Sequence, residues 1–495
     1  MTAAEPERNL SDDALEEEGV AQEIDWKDYR DHLATADQKG NRRWLYPKQP
    51  KGDLYRWRTW MSWVLLAVMF TGPFIKISGN PLLMINIVER KFSILGQIFW
   101  PEDTIIFAVA MLVFLTGIVI FTTAFGRLWC GWTCPQTVLM EMVFRRIEYF
   151  IEGDGPAQKA LDEAPWTAGK AAKKLTKWGV FFGLSFVIGN TLLSYIIGAD
   201  ALYEIITDPP SQHYVGLGFM LAFTLLFFLI FARFREQACT FICPYGRFQS
   251  AMLDENSMIV AYDYKRGENR AVLKRGQTDA TRRAEGAGDC INCRQCVTVC
   301  PTGIDIRDGL QMECVNCTAC IDACDGIMDK IGKPRGLIRY ASHNAIETGE
   351  KQQFTARMGV YLGILTALIT VFLVLVATRA DVETMLLRAP GGLFQTLPDG
   401  RVQNLYTVKV INKATRDIPV TLKLLEGTGE IAVMGGDFVV AKHDLGKTSV
   451  LIRLSADALT GAKTNLKIGV YDGDKLLETV KTVFVGPRTR RPKQP

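Results

Sequence analysis

All twelve cysteines of the chain fall between Cys130 and Cys324, and none lies in the first 129 or the last 171 residues. Soft donors grouped in this way point to ligation. Eight stand as Cys290-x-x-Cys293-x-x-Cys296-x-x-x-Cys300-Pro301 and Cys314-x-x-Cys317-x-x-Cys320-x-x-x-Cys324. Three cysteines at three-residue intervals curl the chain around one cubane and supply three iron thiolates, while the fourth, farther along, reaches the neighbouring cluster. Two copies close the set reciprocally. Cys290, Cys293, Cys296 and Cys324 would hold one 4Fe-4S cluster, and Cys314, Cys317, Cys320 and Cys300 the other. Structural zinc would use paired Cys-x-x-Cys knuckles and has no need of a third cysteine at the same interval. Disulfides would be crowded at such spacings, and the reducing cytoplasm, where the topology below places this segment, disfavours them.

The other four cysteines form two shorter motifs, Cys130-Gly-Trp-Thr-Cys134-Pro135 and Cys239-Thr-Phe-Ile-Cys243-Pro244. They lie 109 residues apart, each after an arginine (Arg127, Arg235), as if a span-plus-motif unit were repeated. Cysteines at i and i+4 share one face of a helix, and a proline directly afterwards favours ending that helix and starting another. Two such ends brought together would offer four soft sulfurs at the membrane surface, suited to a cuprous ion or a redox-active dithiol. The plainer reading is four small buried helix-end residues, against which the repetition and the neighbouring eight-cysteine segment both weigh. Met140 and Met142 could add thioether ligands, although such methionines more often fill gaps. His213 reads as a surface histidine without a task. No phosphate loop, dinucleotide fingerprint or nucleophile elbow occurs.

The elements that must position these groups include membrane segments. The 495 residues are 48% hydrophobic, with a mean hydropathy of +0.08, which is too apolar for a wholly soluble chain of this size. Five stretches are free of charge for about the roughly 17 to 25 residues that cross a hydrocarbon core: Thr59 to Ile75, Thr104 to Ala124, Trp178 to Ala199, Pro209 to Ala232 and Met358 to Thr378. Phe92 to Trp100 is too short, is closed by Pro101, and reads as a re-entrant or interfacial piece. Lys and Arg number 10 before the first span and 3, 8, 0 and 18 in the successive connections. This alternation places the N-terminus in the cytoplasm and, after five spans, the C-terminal part outside. The acidic N-terminal stretch does not resemble a cleavable signal, so the first span is expected to act as the insertion signal. A formal net charge of +4 without long like-charged blocks gives no reason to propose nucleic acid as a partner.

After Arg379 short alternating runs take over: Leu405 to Asn412, Ile418 to Leu425, Ser449 to Leu454, Asn465 to Tyr471 and Leu476 to Val485. Turn signals separate them, as expected of an antiparallel sandwich of about seven strands without a disulfide. The expected fold is therefore an α-helical polytopic membrane protein of about five spans, with an inserted bacterial two-cluster ferredoxin module and a C-terminal immunoglobulin-like β-sandwich. Residues 1–40 would be a disordered cytoplasmic tail and 41–250 a four-span membrane domain. Residues 251–350 would be the cytoplasmic ferredoxin domain, 351–379 the fifth transmembrane helix and 380–495 the periplasmic sandwich.

The eight-cysteine segment resembles a bacterial two-cluster ferredoxin, with two departures. Asp325 stands where a second proline is usual, which is expected to loosen the turn around Cys324 and expose that cluster, and only 13 residues separate Cys300 from Cys314. From about residue 40 to 490 the chain resembles the CcoG family, also called FixG or RdxA, the cytochrome c oxidase accessory proteins. The resemblance rests on Trp44-Leu-Tyr-Pro47, Phe99-Trp-Pro-Glu-Asp103, the Cys130 and Cys239 motifs, the ferredoxin segment and the sandwich. It implies a multi-pass protein of the bacterial inner membrane that is needed to assemble the cbb-type haem-copper oxidase. It further implies reduction of cupric to cuprous ion before copper delivery, with Cys130, Cys134, Cys239 and Cys243 as the catalytic and copper-holding thiols. Oxidase subunits or copper-delivery proteins and an unidentified electron donor would be its partners. A quinol-oxidising relay of the membrane polyferredoxin type and a non-catalytic assembly scaffold are the alternatives.

Overall fold

The computed structural model describes residue 35 and residues 42–77, 79–86, 91–94, 96–349, 355–390, 392–414 and 416–487. The expected disordered tail, residues 1–40, lies outside the described residues apart from Thr35. The chain divides into two compact units, Met1–Pro73 with Ala110–Ile369, and Phe74–Val109 with Thr370–Pro495.

Among the described residues four helices are long and apolar enough to cross a membrane: Thr104–Phe125, Ala168–Ile197, Tyr214–Phe234 and Ala356–Ala377. In the first and last only 6% and 0% of the most apolar window is buried by protein, so apolar side chains face outward all round, as in a lipid-facing helix. The remaining expected span, Thr59 to Ile75, is the outer part of a 19-residue helix, Asp53–Thr71, whose first turns carry Asp53, Arg56 and Arg58. Those charges keep it out of the group of four. The helix Ala168–Ile197 starts ten residues earlier than expected because its first turns, with Lys170, Lys173, Lys174 and Lys177, extend beyond the apolar part. Phe144 is the centre of the packing in this unit. It stacks on Phe231 at 4.5 Å and meets Phe181 edge-on at 4.9 Å, among buried Leu66, Leu139, Met140 and Ile188.

The cysteine-rich segment follows the helix Pro244–Met252. Strand Ile259–Tyr262 pairs antiparallel with Ile338–Ala341, in register from Ile259↔Ala341 to Tyr262↔Ile338, and this ribbon backs the helices Gln295–Thr298 and Ala319–Lys330. The loosened turn expected at Asp325 is absent. Without a proline ring to clash with the preceding turn, one helix runs on from Ala319 to Lys330, and the Asp325 carboxylate accepts the Gly336 N–H at 2.8 Å.

In the second unit a five-stranded sheet runs in the order Gly429–Val433, Leu445–Leu454, Val402–Asn412, Val382–Arg388, with Gln395–Thr396 also paired to Val402–Asn412. A four-stranded sheet runs Phe438–Val440, Ile418–Leu424, Lys463–Asp472, Lys475–Val485, and all pairings are antiparallel. Alternate residues point inward, so Tyr406, Val408, Val410, Val450, Ile452, Ile468, Val470 and Phe484 form its core. Among the described residues the sandwich thus has nine strands where about seven were expected.

Of the two readings of Phe92 to Trp100, re-entrant or interfacial, the re-entrant one needs correction. Lys91–Ile94 and Gln97–Phe99 are strands, joined to Leu83–Asn86 in a three-stranded antiparallel sheet, with Gly96 at φ +78° in the turn. Its apolar side chains have a protein surface to cover, since Ile98 and Trp100 pack against Ile411 and Leu445 of the sandwich. Asp103 then pairs with Arg379 and Lys413, both at 2.6 Å, and Lys413 also reaches Glu383 at 2.8 Å.

Candidate metal centres and the adjoining thiols

The two cysteine triplets share one backbone device. Asn292 and Arg294 stand at φ +51°, Asn316 at +53° and Thr318 at +64°, so the second and fourth residues after Cys290 and after Cys314 are left-handed in both copies. Each left-handed residue reverses the local curl and turns successive cysteines toward one point, and each triplet then runs into a helix. Asparagine tolerates this region, whereas a β-branched threonine there is strained.

The curls enclose two cavities with empty volumes of about 340 and 350 Å³. Cys300, Cys314, Cys317 and Cys320 line the first with Val260, Ile304, Ile306 and Thr318. Cys290, Cys293, Cys296 and Cys324 line the second with Tyr262, Arg307 and Met328. These are the same two sets of four that the spacing suggests, and Cys296 borders both cavities. Among the described residues no three His, Cys, Asp or Glu side chains converge closely enough for a single metal ion. The sulfurs stand around a space, and a polynuclear cluster suits that arrangement. Burial pushes the thiols of Cys296, Cys317 and Cys324 up to about 12 and that of Cys314 up to about 11, because the low-dielectric surroundings disfavour a lone thiolate. A cationic metal removes that penalty, since it binds the deprotonated form. The buried Thr318 hydroxyl beside the first cavity has no hydrogen-bond partner among the described residues, which fits a donor facing an acceptor-rich group. The residues present therefore fit two 4Fe-4S clusters.

The membrane motifs lie against this segment. Cys130 sits in the short helix Leu128–Trp132, Cys134 precedes Pro135–Thr137 and Cys243 precedes Pro244–Met252, with proline opening each following helix. Cys239 lies in a π-helical turn, Ala238–Ile242. Gln249, fully buried, donates to the Cys130 sulfur at 3.2 Å and so ties the two motifs together. Burial raises the Cys130 thiol to about 11 and, with neighbouring Cys134, Cys130 and Cys243, the Cys239 thiol to about 12.

Sequence reasoning missed the residues that join this group to the cluster segment. Buried Arg127 donates to the carbonyls of Met312, Cys314 (3.0 Å) and Gly246 (3.4 Å). Buried Arg58 donates to the Gly131 carbonyl at 3.0 Å, and Trp132 Nε1 donates to the Tyr340 hydroxyl at 2.9 Å, which donates on to the Asn316 carbonyl at 3.3 Å. Gly131 itself lies so close that an added Cβ would stand 2.3 Å from the Asn316 oxygen. The Asp322 carboxylate, between Cys320 and Cys324, accepts the N–H groups of Leu54 (3.1 Å) and Tyr55 (2.7 Å) and caps the helix Asp53–Thr71. The Trp44-Leu-Tyr-Pro47 stretch is another clamp. Arg42 and Arg235 lie over the Trp44 ring at 4.2 and 5.0 Å, and the Tyr46 hydroxyl donates to Asp162 at 2.7 Å. Met140 belongs to the apolar core and Met142 is buried, while His213 pairs locally with Asp208 at 3.0 Å.

Fold and sites together define a multi-pass membrane protein with ferredoxin-type 4Fe-4S domains and a C-terminal immunoglobulin-like sandwich. Residues 234–343 match the family model described as a 4Fe-4S dicluster domain, residues 107–151 that of a 4Fe-4S binding domain, and residues 372–487 that of the IG-like fold at the C-terminus of FixG. The nitrogen fixation protein FixG of Rhizobium meliloti is 33% identical over 424 residues, 77% of this chain and 79% of that protein. Protein RdxA of Cereibacter sphaeroides is 33% identical over 469 residues, 90% of this chain and 98% of that one, and RdxB of the same organism is 34% identical over 394 residues, 77% and 81%. The chain belongs to the FixG/RdxA/RdxB family.

Proposed function

We propose that this protein reduces cupric to cuprous ion for copper delivery during assembly of a cbb-type haem-copper oxidase. The observation that carries the reading is the direct packing of Gly131, next to Cys130, on the loop between Cys314 and Cys317. Reduction of cupric ion takes one electron and neither makes nor breaks a covalent bond. When bound, the two clusters supply one-electron storage. Cys290, Cys293, Cys296 and Cys324 would hold one of them, and Cys300, Cys314, Cys317 and Cys320 the other. Arg127 and Arg58 fix the Cys130 motif against the second set. Cys130, Cys134, Cys239 and Cys243 would meet the copper as pairs of thiols, since no three of these described residues converge on one point, and soft sulfur favours the cuprous product, which adds to the driving force.

Five crossings follow from parity. If the helices Ala356–Ala377, Tyr214–Phe234, Ala168–Ile197 and Thr104–Phe125 all span, then residues 74–103 lie on the sandwich side of the bilayer. The start of the helix Asp53–Thr71 is held to Asp322, on the cluster side. The chain must therefore cross between them. The charge-free helical part, residues 59–71, rises about 20 Å at 1.5 Å per residue, and the uncharged residues Gly72 to Ile75 carry the chain onward toward the roughly 30 Å of a hydrocarbon core. The Lys and Arg distribution puts the cluster side in the cytoplasm and the sandwich in the periplasm, available to oxidase subunits or copper-delivery proteins.

The test uses anaerobically purified full-length protein, with iron and sulfide counted, reduced by dithionite, freed of excess dithionite and then offered cupric ion. Cuprous ion is read with a specific chelator. The parent should carry about eight irons and reduce copper. Replacing Cys130, Cys134, Cys239 and Cys243 by serine should leave the iron count unchanged and lower the copper rate by more than about tenfold. Parent-level copper reduction by that variant would overturn the site assignment.

A further inference from the structure

The two cavities are not equivalent. The one bounded by Cys300, Cys314, Cys317 and Cys320 has no charged residue in its lining, and its loop packs on Gly131. The one bounded by Cys290, Cys293, Cys296 and Cys324 has Arg294 and Arg307 and no acid in its lining. Cys293 is exposed there between exposed Asn292 and Arg294.

The second cavity is basic on its Lys265–Arg294 side, whereas Asp325 follows Cys324 on the other. From Lys265 to Arg294 there are eight Lys or Arg against four Asp or Glu. The acids are largely neutralised within the fold: Asp289 by Arg266 (2.6 Å) and Lys333 (2.5 Å), and Glu268 by Arg270 (2.7 Å). Buried Arg282 donates to the carbonyls of Gly288 (2.7 Å) and Cys290 (2.8 Å), which fixes the helix Asp279–Ala284 beside the first cysteine of the set. The side chains of Arg275, Arg283 and Arg294 are exposed and form no hydrogen bond or ion pair among the described residues. Uncompensated charge beside an exposed cluster-ligating cysteine is a steering surface, because it raises the rate of encounter with an oppositely charged partner.

We infer that electrons enter at the Cys290, Cys293, Cys296, Cys324 site from a small acidic one-electron carrier protein that docks on the basic rim between Lys265 and Arg294, and leave from the Cys300, Cys314, Cys317, Cys320 site toward Cys130. The carrier loses one electron and this site gains one, with no proton or group transferred. The inference rests on the reading of both sites as 4Fe-4S centres and deepens it by assigning direction and partner class.

The experiment takes the full-length protein in detergent under anaerobic conditions, with iron counted in every variant, and uses fully reduced flavodoxin as the acidic carrier. Stopped-flow absorbance follows cluster bleaching at several salt concentrations, and calorimetric titration with oxidised flavodoxin reads docking alone. The parent should react more slowly as salt rises. The variant R275E/R283E should react about tenfold more slowly and bind more weakly, R275K/R283K should match the parent, and dithionite should reduce all three alike. A salt-independent rate, or parent-like kinetics and binding in R275E/R283E, overturns the proposal. Failure of dithionite to bleach the parent would instead overturn the reading of the sites as clusters.

Discussion

Gly131 is the residue on which the junction between thiols and clusters turns. Its Cβ position is occupied by the Asn316 carbonyl oxygen at 2.3 Å and the Val315 oxygen at 2.8 Å, both backbone atoms that cannot rotate away. Gly131→Ala should therefore push the cluster loop from the membrane motif, at a cost of about 1–3 kcal/mol, and slow copper reduction by dithionite-reduced protein. Gly117→Ala, with no atom within 4 Å of the added Cβ, should leave both the melting temperature and the rate unchanged. Arg127→Ala should leave buried carbonyls without a donor, costing about 1–3 kcal/mol, which thermal unfolding of the iron-loaded protein would show. The cysteines themselves were legible because cluster ligation imposes short fixed spacings. Arg127 and Arg58 were not, since their partners lie 185 and 73 positions away. Asn292 and Asn316, each two residues after the first cysteine of a triplet, were a visible sign of left-handed backbone that spacing arguments passed over.

Period and length governed what could be read among the elements. Lipid-facing helices such as Ala356–Ala377 announce themselves by uninterrupted apolar sequence, and long strands such as Val402–Asn412 by alternation. Short strands such as Gln395–Thr396 and Phe438–Val440 offer too few residues for either signal. The re-entrant reading of Phe92 to Trp100 failed because its apolar content suggested lipid, when Ile98 and Trp100 cover the sandwich. The turn Pro101–Asp103 that follows carries a testable ion cluster. Burial alone would raise the Asp103 carboxyl, but hydrogen bonds from Arg379 and Lys413 outweigh it and hold the pKa below its ordinary value. A carboxylate with a lowered folded pKa contributes stability that is present above its unfolded pKa and lost as pH falls through the folded one. Unfolding of the sandwich, followed in the full-length protein by circular dichroism, should thus become easier below about pH 4. Asp103→Asn should flatten that dependence and, by leaving Arg379 buried without a carboxylate and Lys413 with Glu383 alone, cost about 3 kcal/mol near neutral pH. The ladder of Arg235, Glu148, Lys177, Glu152, Lys174 and Asp162 is a second such set. None of its pairings could be read from the sequence, because each joins different helices or loops.

For the molecule as a whole, if the chain makes the five crossings proposed above, residue 349 follows an even number of them and residue 487 an odd number. An alkaline phosphatase domain fused after residue 487 should be active, and one fused after residue 349, in the connection before the last crossing, should be inactive. Equal activity at both positions would refute the topology. The cap on the first crossing also bears on how the protein is made. Asp322 is synthesised 267 residues after Tyr55, whose N–H it accepts, an interval on the order of tens of seconds at ribosomal speed. Throughout that time the Leu54 and Tyr55 N–H groups lack the carboxylate that later accepts them, although Arg58 can already reach the Gly131 carbonyl. The latch closes only once the iron-loading segment has emerged and wrapped back, so a nascent chain truncated before residue 322 should be the form that quality-control proteases remove first.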